Sequence, residues 1–272
     1  MSQETIPILR IIEGKEFYDG DSSNGLWRAL EACKKAKHNA LFMPEIADIR
    51  INSPKDARIW QPWYCAPSVR ATGKTKQGAK IVVYGHIPNY FSNPENIRKA
   101  VYSKNLVNGA GVMPGKEFQK LLKLEDGAAV FVVDYAKLKN SVSGVISVDD
   151  ALEHPQTIPF LGGEERAKAY LKRHKEVFSN KIGIYHYDDL SDKGALGRLL
   201  FVGDDGCDNL DGCNLLNGSG RFVGVPVGAE GAAPKILRPT IDQILEASKT
   251  FVPEAAQAQF KNAIEQAYKN RK

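Results

Sequence analysis

Cysteine and long apolar runs are both scarce in this sequence. Its four cysteines, at positions 33, 65, 207 and 213, form neither a CxxC pair nor a dense framework. Disulfide scaffolding and zinc knuckles therefore have little support, and we expect reduced thiols, no metal and no cofactor. No stretch approaches the roughly 20 consecutive apolar residues of a membrane span, and the start, MSQETIPILRIIEGKEF, lacks the basic and apolar regions of a signal peptide. We expect a cytoplasmic chain without a membrane span.

Charge of one dominant sign is also missing. The formal net charge is +5 over 272 residues, and acidic and basic residues are mixed along most of the chain. Such a mixture favours solubility over nucleic-acid binding. The hydrophobic content of 43% is sufficient for a sizeable core, so the composition favours a globular protein over a disordered one.

Apolar spacing and capping residues predict helices interspersed with strands, without an internal repeat. Leu26, Leu30 and Cys33 recur at helical spacing, and Asn93 precedes a proline as a helix cap does. The β-branched and aromatic run at 128–135 predicts a buried strand. Helices are expected at 25–37, 94–103, from 114, after 147 and at 164–178, and strands at 69–87 as a hairpin, 128–135, 181–187, 198–202 and 221–225.

This order of elements favours an α+β fold over a doubly wound parallel sheet. The closely spaced strands of the last third favour antiparallel pairing. We therefore predict one compact domain over residues 1–272 with a mixed, mainly antiparallel sheet. Within it we expect a strand-loop-strand segment at 198–227 and a C-terminal helical segment at 238–270.

The hairpin at 70–80 is basic and carries a weak match to a phosphate-binding loop. Ser68 stands where such a loop needs its first glycine, and a turn and a strand follow in place of a helix. Its basic residues and the nearby aromatics leave nucleic-acid binding as an alternative. We favour aromatics in the core and lysines that keep a sheet edge soluble. The residues concerned are Arg70, Lys74, Lys76 and Lys80, with Trp60, Trp63 and Tyr64.

A second alternative is a metal-dependent hydrolase that uses His186, Asp188 and Asp189 at a strand end. Histidine and carboxylates are the residue types of metal and acid-base sites. No second histidine lies at the spacing typical of zinc sites, and no triad or paired-carboxylate motif is present. We therefore assign no catalytic residue and favour a binding protein over an enzyme.

The segment 203–220, GDDGCDNLDGCNLLNGSG, lies between two apolar strands and predicts a surface loop. One stretch, 206–212, fits a fragment of a calcium-binding nonapeptide repeat, but such sites need stacked copies. We favour a solvated acidic loop that contacts a protein or surface ligand. The expected ligand-binding residues are Asp204, Asp205, Cys207, Asp208, Asn209, Asp211, Cys213, Asn214, Asn217 and Ser219, with Leu210, Leu215 and Leu216 as anchors or apolar contacts.

The arrangement RLLFVG, then this loop, then GRFVGV resembles the variable proteins of diversity-generating retroelements, of the archaeal and candidate-phyla type. The resemblance implies a C-type-lectin-like fold with a variable region framed by two fixed strands. In that family, adenine-directed mutagenesis changes codons such as AAC, and the residues at 204–219 lie within the set so accessible. The resemblance thus implies a binding protein whose loop residues are replaceable without loss of the fold.

Overall fold

The computed structural model describes residues 14–187, 189–203, 208–227 and 256–262. The chain divides into two units, Met1–Ala232 and Ala233–Lys272. In the second unit residues 257–262 are helical, and the rest of the predicted segment 238–270 lies outside the described residues. The single domain over residues 1–272 therefore stays a prediction. The strands of the described ranges all belong to the first unit.

Strands and helices are interspersed along the first unit. Its strands are β1 Lys15–Asp19, β2 His38–Ala40, β3 Tyr64–Lys74, β4 Lys80–Gly85, β5 Leu106–Val107, β6 Ala110–Met113, β7 Val130–Asp134, β8 Gly144–Ser147, β9 Lys181–Tyr185, β10 Ala195–Val202, β11 Asn209–Asp211 and β12 Gly220–Pro226. Its helices are α1 Gly25–Lys35, α2 Met43–Asn52, α3 Pro94–Tyr102, α4 Gly115–Leu122, α5 Tyr135–Lys139, α6 Val148–Ala151, α7 Thr157–Leu161 and α8 Glu164–Val177.

The strands form two sheets. The larger sheet has the order β7-β4-β3-β10-β11-β9-β8, and β6 pairs with both β10 and β5. The smaller sheet has the order β1-β12-β2. Among the described strands the pairing of β11 with β9 is parallel and the other pairings are antiparallel. The predicted mixed, mainly antiparallel α+β fold is confirmed.

The larger sheet is covered by helices on both faces. Side chains of a strand point alternately to its two faces, and β4 shows the consequence. Val82 and Tyr84 join the cluster formed with α2, α7 and α8, whereas Ile81 and Val83 join the cluster formed with α1, α3 and α4. The sheet is therefore the middle layer between two hydrophobic cores.

Most of the predicted elements are present near their expected bounds. Helices α1, α3 and α8, and the hairpin of β3 and β4, follow the spacing that predicted them. The Asn93 side chain accepts a hydrogen bond from the Glu95 amide, as the cap prediction required. Where apolar periodicity and a cap agree, local sequence is sufficient to place a helix.

The strand predicted at 128–135 is present, but the prediction that it is buried is wrong. Strand β7 lies at the edge of the larger sheet and pairs only with β4 among the described strands. Val130 is buried, but the residues that follow in the strand are half-buried or exposed. An edge strand has one neighbour and less cover, so its apolar run does not require full burial.

His86, directly after β4, is buried between two polar neighbours. Its Nε2 donates to the Pro159 carbonyl at 2.8 Å, and its Nδ1 accepts from the Ser68 hydroxyl at 3.0 Å. The Ser68 oxygen in turn accepts from the Met43 amide at 2.8 Å. Burial lowers the pKa of His86 to about 4, and Arg166 adds to the lowering, so the neutral imidazole is the folded form.

This burial predicts a pH dependence of stability. The unfolded chain binds a proton at His86 near the ordinary histidine pKa of about 6.5, while the folded chain does not until pH falls to about 4. Stability is therefore lost as pH falls through this window, by about 2 kcal/mol between pH 7 and pH 5 from this group. Urea unfolding at the two pH values should show a smaller loss in a His86→Gln variant. An equal loss in both proteins would contradict the assignment.

Candidate functional site

The predicted loop is interrupted by a strand of the larger sheet. Strand β11 lies within the segment 203–220 and pairs with β10 on one side and β9 on the other. The predicted site residues Asp204, Asp205 and Cys207 lie outside the described residues. The remaining seven are described, and the structure divides them into buried anchors and half-buried positions.

Asp208 is an anchor. Its carboxylate accepts from Arg50 Nη1 at 2.6 Å and from the Tyr170 hydroxyl, and the side chains of Asp208 and Arg50 are completely buried. The Trp60 ring lies 5.2 Å from the guanidinium carbon of Arg50. Burial alone lowers the pKa of Arg50, but Asp208 and Tyr170 more than offset this and raise it, so the arginine is charged.

Asn209 is also buried, as is Leu210 beside it. The Gln156 amide also holds this strand, because its Nε2 donates to the Leu210 carbonyl at 2.8 Å and to the Tyr185 carbonyl at 3.0 Å. The prediction that the loop is exposed is therefore wrong at Asp208 and Asn209. The physical reason is that the Asp208 carboxylate pairs with Arg50 in the interior, while Asn209 belongs to β11, which lies between β10 and β9.

Arg198 of β10 forms a second anchor for the segment. It is 1% exposed and donates through Nη1 to the Cys213 carbonyl at 3.1 Å and the Asn214 carbonyl at 3.3 Å. Its Nη2 donates to Asp189 Oδ2 at 2.6 Å and to the Asn108 carbonyl at 2.7 Å. One buried guanidinium thus fixes the backbone where the segment leaves β11.

The other described positions are half-buried, namely Asp211, Cys213, Asn214, Asn217 and Ser219. The Asp211 carboxylate accepts from the Cys213 amide, and Asn214 Nδ2 donates to Cys65 Sγ at 3.3 Å. Burial, with Asp211 adding to it, raises the pKa of the Cys213 thiol to about 12. The thiol is therefore neutral at ordinary pH, which is not the state of a nucleophile or a metal ligand.

The three leucines of the segment differ in their exposure. Leu210 and Leu216 are fully buried, and the Leu216 amide donates to the Gly109 carbonyl at 2.9 Å. Leu215 is 42% exposed. Of the two predicted roles, anchor or apolar contact, burial at Leu210 and Leu216 fits the anchor, and the exposure of Leu215 fits the apolar contact.

Two of the alternative hydrolase residues, His186 and Asp189, are described, and each has a partner in the interior. His186 is buried, with Nε2 at 3.2 Å from the Ser141 hydroxyl, and its ring centroid lies 5.7 Å from that of His154. Asp189 pairs with Arg198, and Asp188 lies outside the described residues. Within the described ranges no group of three His, Cys, Asp or Glu residues has the arrangement to hold a metal ion.

One residue of the basic patch predicted on the hairpin, Arg70, is not at the surface. Arg70 is 2% exposed, and its guanidinium donates to the Tyr187 carbonyl inside the protein. Trp60 and Tyr64 are buried as well. The placement of Arg70 on a nucleic-acid-binding surface is therefore wrong, because β3 lies between β4 and β10 and is buried on both faces up to Lys74.

The anchoring residues Arg50, Tyr170, Gln156 and Arg198 were not identified from the sequence. A signal exists for two of them. Arg50 follows Ile46 and Ala47 at helical spacing, and Arg198 lies within the apolar run ALGRLLFV. A charged residue on an apolar face requires a buried partner, so such positions point to an internal ion pair.

The geometry defines a class of protein. It is an α+β scaffold in which two buried arginines, Arg50 and Arg198, hold a polar segment in place. No protein-family model matches the chain, and no curated protein sequence matches it. A solved structure does, described as the accommodation of massive sequence variation in Nanoarchaeota by the C-type lectin fold. The two are 54% identical, the match covers 80% of this chain and 99% of that chain, and the TM-score is 0.72.

At this identity and coverage the chain belongs to the C-type-lectin-fold variable proteins of diversity-generating retroelements. The predicted family and fold are confirmed, and membership supports a binding protein. Among the described residues no helix is long and apolar enough to cross a membrane. The cytoplasmic location stays a prediction.

Breaking the Arg50–Asp208 pair should destabilise the protein. Asp208→Asn leaves a buried guanidinium without its counter-charge, and we expect the free energy of unfolding to fall by about 3–5 kcal/mol. Urea unfolding followed by circular dichroism measures this loss. The matched control is Asp192→Asn, at an exposed carboxylate 3.8 Å from Lys74, where we expect no measurable change. A loss at Asp208 no larger than in the control would refute the anchoring role.

Proposed function

We propose that this protein binds a protein or surface ligand through the segment 203–220 and performs no catalysis. The observation that carries the proposal is the division of that segment into fixed and available positions. Asp208, Leu210 and Leu216 are buried, while polar side chains between and after them reach the surface. A partner contacts the polar side chains at the surface, and the buried residues hold those side chains in place.

Two of the anchors, Arg198 and Gln156, support this proposal because they act on the backbone of the segment. Arg198 binds the carbonyls of Cys213 and Asn214, and Gln156 binds that of Leu210. Backbone carbonyls are present whatever side chain follows. The conformation is therefore retained when the side chains at these positions change, which is the property that a diversified surface requires.

The half-buried positions also have suitable chemistry. Asparagine, aspartate and serine supply hydrogen-bond donors and acceptors, and Leu215 adds an apolar contact. We include Asp204, Asp205 and Cys207 in the proposed recognition segment from the sequence alone. Asp208 and Asn209 contribute by fixing the strand.

Replacing the available amides should remove binding and retain the fold. In an Asn214→Ser/Asn217→Ser variant we expect the free energy of unfolding to stay within about 1 kcal/mol of the native value, because both side chains are half-buried and the bond lost is the one from Asn214 to Cys65 Sγ. We expect at least a tenfold loss of affinity, measured by calorimetry with a partner isolated on the native chain.

The matched control is Asn140→Ser/Asn180→Ser, which makes the same chemical change at two exposed positions outside the segment. This variant should keep both stability and affinity. Unfolding of the segment variant, or unchanged affinity in it, would show that these amides are structural or irrelevant and would contradict the proposal.

A further inference from the structure

Arg221 lies over two aromatic rings, Tyr18 and Trp63, which contact each other edge to face beside the proposed recognition segment. Its guanidinium carbon is 4.5 Å from the centroid of the Tyr18 ring and 5.3 Å from that of Trp63. Trp63 in turn stacks on Phe201, with centroids 5.3 Å apart and an interplanar angle of 29°. We call Tyr18, Trp63, Phe201 and Arg221 the aromatic platform.

The platform is assembled from regular elements. Tyr18 and Arg221 are directly paired residues of β1 and β12, and Phe201 belongs to β10. Trp63 immediately precedes β3. Side chains fixed on strands are held more precisely than side chains on loops, so the platform presents a constant geometry.

The guanidinium of Arg221 has unused hydrogen-bonding capacity. Its side chain is 19% exposed, and its Nε is buried without a hydrogen-bond partner among the described residues. Among the described residues Arg221 Nη1 forms an ion pair with one carboxylate, Glu16, at 3.8 Å. Both oxygens of Glu16 already accept from Arg58, at 3.0 and 3.2 Å, and one also accepts from the Tyr64 hydroxyl at 2.8 Å.

The two anchoring arginines of the segment make the contrast clear. Arg50 and Arg198 each donate to a carboxylate and to backbone carbonyls. Buried donors in native proteins almost always have a partner, and an unsatisfied one needs an explanation. The side chain of Arg221 has no such hydrogen-bond partner among the described residues. Its guanidinium lies against the rings of Tyr18 and Trp63, its Nε is buried, and an acceptor from outside can reach it only through the 19% of the side chain that is exposed.

The platform adjoins the recognition segment. Phe201 is paired across the sheet with Asp211 on one side and with Cys65 on the other. Cys65 Sγ accepts from the side chain of Asn214. A partner that covers Asp211 and Asn214 therefore also reaches the edge of the platform.

We infer that the aromatic platform receives a carboxylate of the bound partner, from an acidic side chain or a chain terminus of a protein. The inference rests on the proposed function. A carboxylate matches the bidentate geometry of the Arg221 fork, and its apolar stem lies against the rings of Tyr18 and Trp63. A phosphate is disfavoured, because its second charge adds to the repulsion from Glu16, whose carboxylate lies 3.8 Å from Arg221.

The test uses benzoate as a minimal aromatic carboxylate and benzamide as its neutral control. Nitrogen-15 NMR of the full chain follows the three tryptophan indole N–H signals during titration. Benzoate should shift the Trp63 signal saturably, with benzamide binding at least about tenfold more weakly. Trp27 is an internal control, since Arg28 lies 5.8 Å from its ring but is already paired with Asp21.

Arg221→Gln should abolish the benzoate-dependent shift at Trp63, and Arg221→Lys, which keeps the charge without the fork, should weaken it. Arg28→Gln should leave it unchanged. If Arg221→Gln does not fold, the comparison of benzoate with benzamide and the Arg221→Lys variant still test whether Arg221 binds a carboxylate. Equal binding of the two probes, no saturable shift, or native binding in both Arg221 variants would overturn the inference.

The same titration separates this inference from the proposed function. The Asn214→Ser/Asn217→Ser variant should bind benzoate as the native chain does. If the native chain binds benzoate but the two serines leave partner affinity unchanged, the carboxylate site at the aromatic platform is retained and recognition through the segment 203–220 is rejected. If the serine variant loses partner affinity but the native chain does not bind benzoate, the proposed function is retained and the carboxylate site at the aromatic platform is rejected.

Discussion

The buried ion pair of Arg50 and Asp208 is the constraint on which the recognition segment depends. Two opposite charges are completely removed from water, so each requires the other. The pair connects α2 to the residue that precedes β11, and therefore fixes where the chain re-enters the sheet. Strand β11 then separates β10 from β9 and gives the sheet its parallel pairing.

Local sequence was sufficient for the elements whose signals are contained within a few turns. The periodic apolar residues of α1 and α8, and the Asn93 cap of α3, identify those helices directly. Strand β11 gives no such signal. Its three residues lie in a run of Gly, Asp and Asn that is typical of turns, and its pairing depends on β9 and β10 rather than on its own composition.

The candidate site shows the same division. Composition identified the segment and its resemblance to a family, but not which of its residues are available. Asp208 and Asp211 are the same residue type three positions apart, and one is buried while the other is half-buried. Asp208 is buried because it pairs with Arg50, which is 158 positions away from it in the sequence. Arg221 similarly carries no local signal, because its role depends on Tyr18, which β1 places across from it.

The position of Asp208 has a consequence at the level of the gene. Both codons for aspartate contain an adenine, so mutagenesis directed at adenines offers no synonymous codon that would spare this residue. Diversification that extended over codon 208 would therefore generate chains in which Arg50 is buried without its counter-charge. The usable repertoire of such a protein is smaller than its encoded repertoire, and this internal ion pair accounts for part of the difference.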